Sequence, residues 1–282
     1  QLVVGLPPDN QTILGLARQL AARIKRDPIP PSGSREEWAA GERAKLKSVV
    51  RYQPVTMKHV WAVANTLNSG LASISYRFEL SNGLNATGVW FKETDTPDGA
   101  PVDLVLDDKG RKGAAGEVWN SMEQVAYLLN RGDQVILVNL LFTGDDSPDL
   151  GSPSYVPSLF ASAVATVGDR PLGLESAQLA AVARWAEQTF NPHPVHVELT
   201  GIRTQMAALI AAAIEPDLFS SVTVHQGMKS LDYLLQHPVG FDDAPDLFCL
   251  DLYKDFDVDR LIAMAGPTKI LLDGAVESPK SK

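Results

Sequence analysis

Apolar and polar positions along this 282-residue chain follow three rhythms in turn. Residues Thr12 to Ile24 read as a helix, with Ile13, Leu16, Leu20 and Ile24 on one face. Pro28, Pro30, Pro31 and Gly33 break it. Ser34, followed by Arg35, Glu36 and Glu37, is a helix start with a carboxylate at the capping-box position. The spacing predicts a second helix from there to about Val50, stopping before Pro54. Alternation then takes over. Ser73 to Leu80 alternates apolar and polar, Ser81-Asn82-Gly83 is a turn, and Leu84 to Phe91 runs back, which predicts a hairpin. His59 to Ala64 is a candidate third strand.

After Pro101 the rhythm becomes strand, helix, strand, helix. Short apolar runs at Val102–Leu106, Gln134–Val138, Val195–Leu199, Val222–Val224 and Lys269–Leu272 predict strands. Between them lie helical stripes: Trp119, Met122, Val125, Ala126 and Leu129; Leu179, Val182, Ala183, Ala186 and Phe190; Met206, Leu209, Ile210, Ala213 and Ile214; Val258, Leu261, Ile262 and Ala265. This alternation predicts an α/β fold, with a mixed, mostly parallel sheet, helices on both faces and the hairpin at its start. No linker or shift in composition divides residues 70 to 273.

Charge narrows the partners. With 25 Lys and Arg against 34 Asp and Glu the chain carries −9. That disfavours nucleic acid, whose affinity comes largely from cations on phosphates, and a polybasic membrane surface. The longest apolar run, Met206 to Ile214, is too short for a bilayer. The single cysteine, Cys249, makes no internal disulfide, and no zinc or iron–sulfur cluster is spelled out, so no metal and no cofactor are expected. The chain begins with Gln1, so a removed signal peptide would be invisible; the compartment is open, secretion and the periplasm included.

The order of elements resembles the α/β-hydrolase fold, in which the nucleophile sits on a sharp strand-to-helix turn. Here the matching turn is Thr200-Gly201-Ile202-Arg203-Thr204-Gln205. The helix and strand from Tyr127 to Val138, and Leu261 to Leu272 with Pro267 entering the strand, are also similar to hydrolase segments. More narrowly, the chain resembles bacterial acetyl-xylan-esterase-like hydrolases, some of which carry two hydrolase domains in tandem. The pattern along the chain reads as an N-terminal helical arm and linker over residues 1–69. The resemblance implies an α/β-hydrolase-like domain over residues 70–282, without the last strand and histidine loop. It also implies a carbohydrate or ester ligand and an adjoining catalytic domain as partners.

Acyl transfer by a serine hydrolase needs a nucleophile, a histidine base oriented by an acid, and donors for the oxyanion. In the G-x-S-x-G pattern Gly201 fits the first position, Arg203 takes the serine position and Gln205 the last glycine. Arginine stays protonated and cannot attack a carbonyl. Thr204 is the nearest hydroxyl, one residue late. Asp273, after the Lys269–Leu272 strand, matches the acid position. None of the five histidines follows it; His225, at the carboxyl edge of the sheet, is the best placed, while His196 and His193 read as structural and loop residues. The run from Asp107 to Gly113, where hydrolases place oxyanion donors, reads as a solvated charged loop.

Three readings follow. One is a hydrolase-fold domain with a degenerate triad and a structural or carbohydrate-binding role, in which Gly201 and Arg203 bind an anion or a sugar hydroxyl. The second is an active carboxylesterase using Thr204, His225 and Asp273. The third is a partner-binding module, which an apolar patch on the arm would favour. The seven aspartates between Asp242 and Asp259 read as an acidic surface loop, with Asp257 capping the next helix. Trp119 and Trp185 fall at core spacing.

Overall fold

The computed structural model describes residues 10–110, 119–144 and 156–274. Eight strands form one sheet: β1 (Met57–Asn68), β2 (Leu71–Leu80), β3 (Asn85–Glu93), β4 (Val102–Asp107), β5 (Gln134–Asn139), β6 (Val195–Thr200), β7 (Phe219–His225) and β8 (Lys269–Asp273). Their spatial order is β1-β2-β3-β5-β4-β6-β7-β8. The first three strands and β5 pair antiparallel, and β5, β4, β6, β7 and β8 pair parallel. The sheet is mixed and mostly parallel, as the alternation predicts.

Strand burial decides which helix covers which face. In β4 and β5, Leu104, Leu106, Ile136 and Val138 point to one core and Val105, Val135 and Leu137 to another. The second, smaller core is closed by helix α3 (Trp119–Asn130) through Val125, Leu128 and Leu129. Leu128 takes the place expected of Met122, which is exposed. The larger face is covered by α5 (Pro171–Thr189) and α6 (Ile202–Ile214). Every residue of α6 from Thr204 to Ile214 is buried, because α2 (Arg35–Val50) and α9 (Val258–Met264) close its outer side. A helix apolar all round is one with neighbours all round. Trp185 of α5 packs edge-on against Phe78, ring centroids 4.8 Å apart; the Trp119 side chain lies outside the described residues.

Several expectations are corrected. The candidate third strand His59–Ala64 is present and longer, Met57–Asn68, paired along β2, so the sheet begins before residue 70 and the arm does not extend to 69. Helix α2 is part of the body: Ala39, Leu46 and Val50 are buried in it. The capping box at Ser34 does not form. A 3₁₀ turn, Ser32–Ser34, leads into α2, and the Ser34 side chain makes no cap bond. Glu36, one residue before the capping-box position, pairs with Arg43 at 2.8 Å, whose guanidinium also donates to the carbonyls of Ala213 and Met264. The first helix, α1 (Ile13–Ala21), stops before Ile24 and buries no residue. Helix α4 (Val156–Thr166) has no counterpart in the sequence reading. The short helices α7 (Tyr233–Gln236) and α8 (Leu252–Asp255) complete the described set. No helix among the described residues is long and apolar enough to cross a membrane.

Candidate functional site

The turn from β6 to α6 is built on Gly201, whose φ of 107° is open to glycine and strained for other residues. A side chain there would also overlap the Asp108 carboxylate. That carboxylate comes from the loop after β4, the strand beside β6. Its oxygens accept from the backbone N–H of Arg203 (3.0 and 3.1 Å) and of Thr204 (2.8 Å). The Thr204 hydroxyl lies 2.9 Å from Asp108 Oδ1 and 3.1 Å from the Thr200 carbonyl. Asp108 therefore holds the first amides of α6, where the helix dipole favours negative charge. Burial raises its pKa, and the bonds from Thr204 and Arg203 oppose that rise.

This corrects the reading of the loop as solvated and charged. In a hydrolase elbow the N–H after the nucleophile is an oxyanion donor. Here that N–H belongs to Thr204, and the chain's own carboxylate accepts from it. Loop residues 111–118, with Gly113, lie outside the described residues. So do residues 145–155, between β5 and α4.

Arg203 points inward. Its Nε donates to Asp246 at 2.8 Å, and its side chain is 13% exposed against 1% for that of Asp246. Glu175 of α5 is also buried and adds attraction to Arg203. Glu175 Oε1 and Asp246 Oδ2 find no hydrogen-bond partner. Between Glu175, Arg203, Thr204 and Asp246 remains a cavity of about 10 Å³, enough for one water at most. Burial raises the pKa of Glu175 well above the usual carboxylate range, with repulsion from Asp246 adding to it. Burial also raises Asp246, and Arg203 pulls it back. Among the described residues, the position that would carry the nucleophile is an ion-paired joint with space for one water at most beside Arg203. Asp246 is thereby removed from the acidic surface run, whereas Asp257 does cap α9, accepting from Val258 N at 2.8 Å.

His225 and Asp273 come together elsewhere. Their strands are in register, in a row Asp107–Thr200–His225–Asp273 across β4, β6, β7 and β8. His225 Nδ1 is 3.3 Å from Asp273 Oδ2, and His225 Nε2 is 3.1 Å from Glu198 Oε2 and 2.8 Å from Gln124 Nε2. Both ring nitrogens are thus engaged by groups other than Thr204, whose hydroxyl turns to Asp108. The structure joins two of the three candidate catalytic residues and leaves the hydroxyl out. His196, read as structural, bonds Ser220 and Ser221.

A cleft of about 230 Å³ opens at the carboxyl ends of β4 and β6, lined by Asp107, Lys109, Thr200, Gly201, Ile202 and Gln226. The chain runs from β4 to β5 on one side and returns to β6 on the other, which makes this the topological switch point where open α/β sheets bind ligands. Among the described residues no set of three or more metal-ligating side chains is arranged to hold an ion.

Sequence reasoning missed Glu175, Asp246 and Asp108 as partners of the elbow. One signal was present: Glu175 is the only charge between Pro171 and Ala183, and a lone carboxylate in an apolar helix calls for a buried partner.

No family model matches the chain and no curated protein matches it. Solved structures do. A Bacteroides fragilis protein assigned to the acetyl xylan esterases aligns with a TM-score of 0.71 at 13% identity, over 96% of this chain and 77% of its own. A glucuronoyl esterase from Solibacter usitatus aligns at 0.59 and 15% identity, over 87% of this chain and 76% of its own. Acetyl xylan esterase 1 from Thermoanaerobacterium sp. aligns at 0.51 and 14% identity, over 93% of this chain and 94% of its own.

Proposed function

We propose that this chain, whose α/β-hydrolase-like fold has carbohydrate esterases among its structural neighbours, is a non-hydrolytic member of that architecture, with a structural or carbohydrate-binding role beside a catalytic hydrolase domain. One observation carries the reading: the Asp108 carboxylate accepts from the Thr204 amide, where an oxyanion would need a donor. An ester carbonyl entering there would meet a carboxylate oxygen in place of free N–H groups, and Arg203 beside it offers no lone pair. If a carbohydrate binds, the cleft at the switch point supports it, since Thr200, Asp107, Lys109 and Gln226 offer both donors and acceptors.

The test is turnover of 4-nitrophenyl acetate by the whole chain and by a Thr204→Ala variant. Equal rates, both at the level of buffer with an unrelated protein, are expected. Turnover in the wild type well above that of the variant would sink the reading and favour an active carboxylesterase built on Thr204. Titration calorimetry with acetylated and plain xylo-oligosaccharides separates the two roles: heat of binding that a Thr200→Val variant loses supports the carbohydrate role, and none supports the structural one.

A further inference from the structure

Helix α1 roofs a trough it does not fill. Under its first half lies an apolar pocket of about 490 Å³, bounded by Leu14, Ala17, Leu234, Val239 and Leu252. Under its second half a wider space of about 800 Å³ continues from it, the two sharing Ala17, Leu235, Leu247, Phe248, Cys249 and Tyr253. Either volume falls in the usual range of a small-molecule site, roughly 300–1,000 Å³. Burial pushes the Cys249 thiol up to about 11, so it lines the trough as a neutral, polarisable group. Ile13 and Leu20 of α1, and Phe248 and Leu250 opposite, stand at the mouth with large exposed apolar surface.

The charges at the mouth are uneven. From Asn10 to Arg26 the chain has four cations, Arg18, Arg23, Lys25 and Arg26, and no carboxylate. Arg18 is spent on the Leu235 carbonyl (2.9 Å) and Arg26 on the Tyr253 carbonyl and Asp257. On the facing wall Asp251 is matched by Lys254 at 3.4 Å and Asp255 by Lys45 at 2.9 Å. Arg23 and Lys25 are exposed, line the wider end and form no ion pair among the described residues. An apolar channel that ends at two unmatched cations, on a chain of net charge −9, is complementary to one kind of molecule.

We propose that this trough binds an amphiphile with an apolar chain and an anionic head, the chain lying under α1 and the head against Arg23 and Lys25. The bound chain would cover Ile13, Leu20, Phe248 and Leu250. The proposal does not rest on the esterase-like reading, since α1, Arg23 and Lys25 form no part of the β6–α6 turn.

The test is calorimetric titration of the whole chain with decanoate and with decanol, both below their aggregation limits. Saturable one-site binding of decanoate is expected. An Arg23→Gln/Lys25→Gln variant, altered only at exposed positions, should weaken decanoate by about fivefold and leave decanol unchanged. Val239→Trp, which fills the inner end, should weaken both. Absent or non-saturable decanoate binding overturns the proposal, as does equal weakening of decanoate and decanol by the double variant. So does capture by phosphatidylglycerol vesicles without binding of monomeric decanoate. Self-association that Val239→Trp abolishes, with no decanoate binding, would assign the trough to a second copy of the chain and overturn it as well.

Discussion

Replacing Arg203 by Met removes the one positive charge among three carboxylates and keeps most of the buried volume. Asp246 loses its 2.8 Å partner while its side chain stays 1% exposed. Removing one member of a buried pair costs about 3–5 kcal/mol, because the other charge is left without compensation. At about 2.1 cal/mol/K per residue, 282 residues give an unfolding entropy near 0.6 kcal/mol/K. The expected loss of Tm is therefore about 5–8 °C at pH 7, read by calorimetry or circular dichroism at fixed scan rate. The loss should shrink in acid. Without Arg203 the Asp246 pKa rises further, so the penalty is fullest above it and fades as pH falls through it and the carboxyl becomes neutral. Adding Asp246→Asn to the variant should recover part of the stability, since the stranded charge is then absent. A loss below about 2 °C at pH 7, or a loss that Asp246→Asn deepens by its full single-mutant amount, would refute the ion-paired joint.

Two further outcomes follow from the same turn. Gly201→Ala combines a strained φ with overlap on Asp108, and should cost at least about 2 kcal/mol in denaturant unfolding; a change under about 0.5 kcal/mol would contradict the turn geometry. Glu175→Gln tests the raised pKa. Folded Glu175 holds a proton that the unfolded chain releases above about pH 4.5, so wild-type stability declines as pH rises from there through the folded pKa. The variant lacks that slope, and its stability relative to wild type should be more favourable at pH 8 than at pH 5. Equal differences at the two pH values would place an ordinary carboxylate at 175.

The centre of the parallel half was legible because β4 and β5 are buried on both faces and read as short apolar runs, Val102–Leu106 and Gln134–Val138 lying within them, and β6 because it alternates buried and half-buried positions. Strand β1 was half legible, since an edge strand exposed along most of its length carries no face to alternate. Helix α4 escaped because its burial runs against its pattern: Ser158 is buried while Leu159 and Phe160 are exposed. Arg203 at the serine position was visible in the motif. Its partners were not: Asp108 lies 95 positions before it and Asp246 43 after it. Both sit in runs of charge that look solvated until the fold brings them against α6. The pairing of His225 with Asp273 was legible in part, because both end strands at the same edge of a parallel sheet.

The Asp108 bridge also governs how this chain could be re-engineered. Ser at 203 would supply a nucleophile beside a carboxylate that already holds the Thr204 amide, and would strand Asp246 in the core. Clearing Asp108 alone would free the amides and uncap α6 while Arg203 still blocks attack. Each step taken singly lowers stability and gains no activity, so only sequences that neutralise Glu175 and Asp246 first lie on a passable route. An effort to restore hydrolysis by one substitution would meet a valley before any slope.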